Sequence, residues 1–162
     1  MNLLINDGLS LIFMDTLKIT LPLKHRYPML LIDGILSVEP MTSCRAFKNL
    51  TYNEWFFPGH FPGQPVMPGT LQLEAFTQAV AIPLLVGEIQ NEGVEIPLLL
   101  AAIDKVRFYN PVLPGDRFDI DVQIERVAMG LATASASGTV NGKLVSECKI
   151  TYKLLVSFNN GK

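Results

Sequence analysis

A base and an acid stand within one short stretch of this chain, Phe56 to Gln78 (FFPGHFPGQPVMPGTLQLEAFTQ). His60 sits in a segment rich in proline and glycine, and Glu74 follows fourteen positions later among apolar residues. Between them Met67-Pro68-Gly69 leads into a helix. A base, an acid and a helix N-terminus are the parts needed to take a proton from the carbon beside a thioester carbonyl and to expel a hydroxyl. Histidine can be neutral near neutral pH and accept the C2 proton. Negative charge then develops on the thioester oxygen, where N–H groups at a helix start, reinforced by the helix dipole, can hold it. Glycine at position 69 lets a substrate approach the backbone closely. A hydroxyl leaves badly until it is protonated, and a carboxyl among apolar neighbours can keep the proton it needs. A turn and the first helical turn separate His60 from Glu74, so the two are not expected to converge within one chain.

These groups need elements to hold them. Asn53 to Pro68 carries Pro58, Pro62 and Pro65 with Gly59 and Gly63, which excludes regular structure and makes it a shaped loop. Gly69 to Ile82 is the predicted helix, opened by Pro68 and ended or kinked by Pro83. At about 100° per residue, Thr70, Glu74, Thr77 and Gln78 share one narrow stripe. Leu71, Leu73, Phe76, Ala79, Val80 and Ile82 cover the rest, with Gln72 alone breaking the apolar side, so the helix is expected to be buried. Gln78 lies one turn beyond Glu74, within hydrogen-bonding reach, and is read as structural.

Strand-like runs flank this helix. Before it come Leu17 to Leu23, then a turn at Lys24 to Pro28. Met29 to Ile32 and Ile35 to Val38 read as one strand broken at Asp33-Gly34, and Ser43 to Leu50 as the next. After a polar connection at Gly87 to Glu95 come Pro97 to Ile103, Lys105 to Tyr109, Phe118 to Val127, Leu131 to Val140 and Leu144 to Val156. Phe118, Ile120, Val122 and Ile124 alternate with polar residues, which gives that strand one wet face. Asn141-Gly142 is a strong two-residue hairpin signal. One long helix among antiparallel strands suggests an α+β fold with a curved sheet wrapped around the helix.

With 162 residues the chain is read as one domain, with 1–15 as a short N-terminal extension or packing arm. It is 49% hydrophobic and 17% charged, enough to bury a substantial core. A net charge of -2 argues against nucleic-acid binding through bulk charge. No apolar run approaches the roughly 18 residues needed to span a membrane, and the N-terminus lacks the positive flank of a signal peptide. Cys44 and Cys148 have no metal-ligand spacing, so no metal is expected, and both read as buried residues of a reducing cytoplasm. The Pro/Gly loop lacks the spacing that cradles phosphates, so no cofactor is expected. Trp55, Phe56 and Phe57 read as core or dimer contacts. His25, with Lys24 and Arg26, and Lys105, with Arg107, read as surface turns or as basic docking points for an acidic partner.

HRYPMLLID (25–33), KNLTYNEWFFPGHFPGQPVMPGTLQLEAFTQ (48–78), DKVRFYNPVLPGD (104–116) and VNGKLVSE (140–147) together resemble the FabZ-type 3-hydroxyacyl-[acyl-carrier-protein] dehydratases. The likeness runs in order from about Leu21 to Leu154, and the GHFPG-x-PVMPG-x-L-x-x-E-A block is long and specific. It implies a hotdog fold, an antiparallel sheet around a long central helix. It also implies a homodimer, often a trimer of dimers, with active sites shared between subunits. On this resemblance His60 matches the catalytic histidine, Glu74 the catalytic carboxylate supplied by the second subunit, and Gly69 the glycine whose N–H holds the thioester carbonyl. The related FabA-type dehydratase/isomerases carry aspartate at the Glu74 position, which leans toward simple dehydration. Thr70 and Gln72 stand where aliphatic residues are common near the acyl tunnel, so chain-length preference is open. Gly34 stands where arginine is usual, and Cys148 where alanine often appears. The implied activity is dehydration of (3R)-3-hydroxyacyl-acyl-carrier-protein to the trans-2-enoyl product in fatty-acid elongation, with acyl carrier protein as partner. A specialised hotdog dehydratase or thioesterase for polyketide or coenzyme A thioesters, or a non-catalytic acyl-binding subunit, are the alternatives. The presence of both His60 and Glu74 favours dehydration.

Overall fold

The computed structural model describes residues 23–89 and 97–155. Its elements follow in the order β1 (Gly34–Glu39), β2 (Ser43–Asn49), α1 (Gly69–Ile89), β3 (Leu98–Phe108), β4 (Arg117–Ala128), β5 (Leu131–Val140) and β6 (Lys143–Leu154). The strands form one sheet in the order β1-β2-β4-β5-β6-β3, and every neighbouring pair is antiparallel. The helix packs against this sheet, as the sequence implied. The strand expected over Leu17 to Leu23 falls almost entirely outside the described residues, as does the 1–15 extension.

Helix burial drives the arrangement. Phe76, Ala79, Val80, Ile82 and Leu84 have no exposed surface. The sheet presents Phe118, Ile120, Val122 and Ile124 from β4, and Ala132, Ala134 and Ala136 from β5, all buried. Small residues on β5 let the helix approach closely. Phe76 on the helix packs against Phe118 on β4, with ring centroids 5.5 Å apart. Gly138 on β5 makes room for that pair: a Cβ there would fall 2.1 Å from Phe118 Cε2 and 3.1 Å from Phe76 Cζ. By length and composition α1 could cross a membrane, but here it is the helix packed against the sheet.

Three local expectations need correction. The helix does not stop at Ile82 but runs through Pro83 to Ile89. A proline inside a helix costs about 3 kcal/mol or more, and fully burying one leucine contributes about 1.5–3 kcal/mol. Ile82 and Leu84, both fully buried, flank the proline, so packing offsets the missing bond. Second, 29–32 is not a strand. The Leu31 N–H donates to Gln78 Oε1 at 2.9 Å, and the Met29 carbonyl accepts from Gln78 Nε2 at 2.6 Å, so side-chain bonds from the helix replace a ladder. Third, the break expected near Asp104 is a bulge inside the continuous strand β3. The register to β6 shifts between Asp104 and Arg107, and Lys105 takes a positive φ of 52°.

The hairpin signal held. Asn141 and Gly142 take φ of 50° and 75°, the paired positive angles a two-residue turn between twisted strands requires. Cys44 and Cys148 are free and buried, and loss of hydration on burial pushes both thiols up to about 12.

Gly138→Ala forces a methyl into the Phe76–Phe118 contact. Overpacking of a dense core typically costs about 1–3 kcal/mol, and that loss is expected in chemical denaturation. A variant as stable as wild type would mean that the rings can shift freely.

Candidate active site

The loop before the helix is tied to itself and to the connection between β3 and β4. His60 N–H donates to Phe56 O at 3.0 Å, Val66 N–H donates to His60 O at 2.9 Å, and Met67 N–H reaches Val112 O at 2.8 Å. Leading into it, buried Lys48 on β2 sits between Asp33 and Glu54, 3.2 Å and 2.5 Å away. Asp33 Oδ2 also accepts from Asn49 N–H at 2.7 Å. A buried ammonium must be paired, so these two carboxylates pin the 50–57 segment against β1 and β2.

The His60 ring is fixed by the same loop. Its Nδ1 lies 2.9 Å from Val66 O. A carbonyl can only accept, so Nδ1 carries the hydrogen and the Nε2 lone pair of the neutral ring is left to act as a base. Phe61 stacks on the imidazole, centroids 4.0 Å apart.

His60 faces a cleft of about 610 Å³ lined also by Val66, Met67, Gly69, Thr70, Gln72, Leu73, Phe108 and Tyr109. The helix begins at its wall. Leu71 and Gln72 N–H both donate to Pro68 O, whereas Gly69 and Thr70 N–H have no acceptor among the described residues, as expected of a helix start. Two unpaired amides at the positive end of a 21-residue helix form a site for developing negative charge. The ring of Phe108, half exposed, covers Gly69 so closely that a Cβ there would lie 2.8 Å from its Cζ. Thus His60 and Gly69 share one cleft.

Glu74 does not line it. Its carboxyl is held one helical turn below by Gln78, whose Nε2 donates to Glu74 Oε1 at 2.8 Å. His25 Nε2 lies 3.4 Å from the same oxygen. Both contacts fall on Oε1, so a proton carried by this acid belongs on Oε2. The sequence reading anticipated the Gln78 bond. It missed His25, taken for a surface turn or docking point, because only the fold brings residue 25 beside residue 74. It also missed that one Gln78 amide serves Leu31, Met29 and Glu74 together. Lys105 and Arg107 lie exposed on the sheet-edge strand β3, away from the His60 cleft lining. Another cleft, about 600 Å³, crosses the sheet among Arg45, Asp121, Ser135, Ser137 and Lys149, and contains neither His60 nor Glu74. Among the described residues no cluster of three His, Cys, Asp or Glu side chains could hold a metal.

Residues 23–149 match the family model of FabA-like domains. The chain is 42% identical, over 137 residues, to the 3-hydroxyacyl-[acyl-carrier-protein] dehydratase FabZ of Dechloromonas aromatica (strain RCB), covering 85% of this chain and 95% of that protein. It is 46% identical over 129 residues to the FabZ of Halorhodospira halophila, covering 79% and 84%. Among solved structures, the dehydratase heterocomplex ApeI:P from Xenorhabdus doucetiae superposes with a TM-score of 0.73 at 13% identity, over 86% of this chain and 91% of that one. Zebra fish thioesterase superfamily member 2 does so at 0.60 and 18%, over 76% and 80%. At such identities these two show the shared fold alone.

Gln78→Leu removes the partner of buried Leu31 N–H and two bonds to oxygens. Each buried group left unpaired costs about 1–3 kcal/mol, so a loss of about 2–4 kcal/mol in unfolding free energy is expected. A change below about 0.5 kcal/mol would mean that water replaces the amide.

Proposed function

This chain belongs to the family of FabA-like domains, and we propose that it is a 3-hydroxyacyl-[acyl-carrier-protein] dehydratase of fatty-acid synthesis, a hydro-lyase. It converts a (3R)-3-hydroxyacyl thioester carried on acyl carrier protein into the trans-2-enoyl thioester and water. The observation that carries the reading is a histidine with Nδ1 locked and Nε2 available, in one cleft with the unpaired amides of a helix start.

In this reading His60 Nε2 takes the C2 proton. Charge builds on the thioester oxygen, where the Gly69 N–H receives it; removing one donor of this type typically costs about 100- to 1,000-fold in rate. Glu74 gives its proton to the C3 hydroxyl, the C3–O bond breaks, the C2–C3 double bond forms and water leaves. His60 ends protonated and Glu74 ionised, so one proton returns from the imidazole to the carboxyl through solvent before the next turnover.

The acid and base come from different subunits of a homodimer, and a trimer of dimers is the larger assembly this reading allows. Two features support the dimer. The cleft that holds His60 lacks Glu74. The strand at one sheet edge, β3, is 11 residues long and carries half-exposed Leu99, Leu100 and Phe108, an edge a soluble protein would cover. A cytoplasmic location goes with this reading.

Purified protein incubated with 3-hydroxyacyl-acyl-carrier-protein should lose one water by mass spectrometry. His60→Ala should be slower by about 100- to 10,000-fold, the usual worth of a positioned base. Absence of water loss across chain lengths and carriers would sink the dehydratase reading. Heterodimers of His60→Ala with Glu74→Ala subunits contain one intact pair of two and should regain about half the wild-type activity. Verified heterodimers without activity would put both groups in one subunit.

A further inference from the structure

Gln72 is the buried polar residue among those lining the cleft, and this reaction leaves it unused. It is 3% exposed, lines the cleft with His60 and Gly69, and its Oε1 is buried without a hydrogen-bond partner. Its Nε2 donates to Met67 O at 3.5 Å. Turning the amide over would set two oxygens against each other, which favours the orientation with Oε1 as the orphan. An unpaired amide oxygen held out of water is costly, and an apolar side chain at this place would carry no such penalty. A ligand that brings a donor removes the penalty.

That donor comes from the acyl end of the substrate. The thioester arm runs outward to a carrier protein too large to enter the cleft, and in this inference the acyl chain is the part that reaches Gln72. Gln72 lies one turn beyond Gly69, about 4.5 Å along the axis, the scale that separates a thioester oxygen from the first acyl carbons. The half-exposed ring of Phe108, which also lines the cleft, lies over Gly69.

We propose that Gln72 Oε1 accepts a hydrogen bond from a hydroxyl of the acyl chain, which makes Gln72 a specificity-determining residue; this rests on the dehydratase reading. The hydroxyl is either the C3 hydroxyl that leaves or a second one farther along the chain. Wild type, Gln72→Leu and Gln72→Met are compared in kcat/KM on 3-hydroxyhexanoyl- and 3,5-dihydroxyhexanoyl-acyl-carrier-protein, with inhibition by the 2-enoyl product as reference. Loss of one such bond is expected to lower kcat/KM about tenfold. A loss on both substrates with unchanged product inhibition assigns the C3 hydroxyl, because the enoyl product lacks it. A loss confined to the dihydroxy substrate assigns the second hydroxyl. Variants equal to wild type on both substrates overturn the inference and leave the dehydratase reading standing. An equal loss on both substrates with equally weakened product inhibition also overturns it, since that marks general packing. A wild type that converts neither substrate overturns both readings.

Discussion

A helix that is apolar nearly all round must be covered on nearly every side, and the rest of this molecule follows from that. One sheet face cannot cover it, so six antiparallel strands curve around it, and β5 contributes alanines and a glycine so that the curve can be tight. A polar stripe on the helix runs through Thr70, Glu74, Thr77 and Gln78. Its upper end is left open: Thr70 is exposed and Glu74 half-buried. Its lower end is closed by polar partners, with Gln78 bonded to the 29–31 backbone and the Thr77 carbonyl accepting from the buried Tyr152 hydroxyl. Loss of hydration pushes that phenol up to about 12, so it stays a donor at any ordinary pH. The place where chemistry can happen is therefore the place where the sheet does not reach.

Much of this was legible because the signals were local. Strand β5 fell at the expected bounds, the Asn141-Gly142 turn has the geometry its residues demand, and the helix start at Gly69 follows from Pro68. The misses share a different cause: tertiary contacts outweighed a local rule. Pro83 should have stopped the helix, but its neighbours are buried too well. Met29 to Ile32 alternates poorly and was read as strand by its apolar character alone, yet a glutamine 47 residues later takes the Leu31 N–H that a ladder would have used. Lys48 falls on the same buried face of β2 as Cys44 and Ala46, and the two carboxylates that allow its burial, Asp33 and Glu54, lie 15 and 6 positions away. No periodicity in the sequence carries such information.

The candidate site divides in the same way. His60 and Gly69 were readable together because a single loop and helix start set both. The surroundings of Glu74 were only half readable. Gln78 is one turn away and so a necessary neighbour, whereas His25 reaches it across the fold. The cleft as a three-dimensional object, and the unpaired oxygen of Gln72 within it, could not be seen in a string of residue types.

The dehydratase reading asks for a base and an acid on opposite sides of one substrate. Within one chain the fold keeps them apart, with the imidazole anchored by Val66 in the loop and the carboxyl anchored by Gln78 on the helix. Each anchor occupies one atom and leaves the other for chemistry: Nδ1 is bound and Nε2 is open, Oε1 is bound and Oε2 is open. In the proposed reaction a substrate lying between the two open atoms connects them, losing its C2 proton to Nε2 while its leaving hydroxyl takes the proton of Oε2 and departs as water.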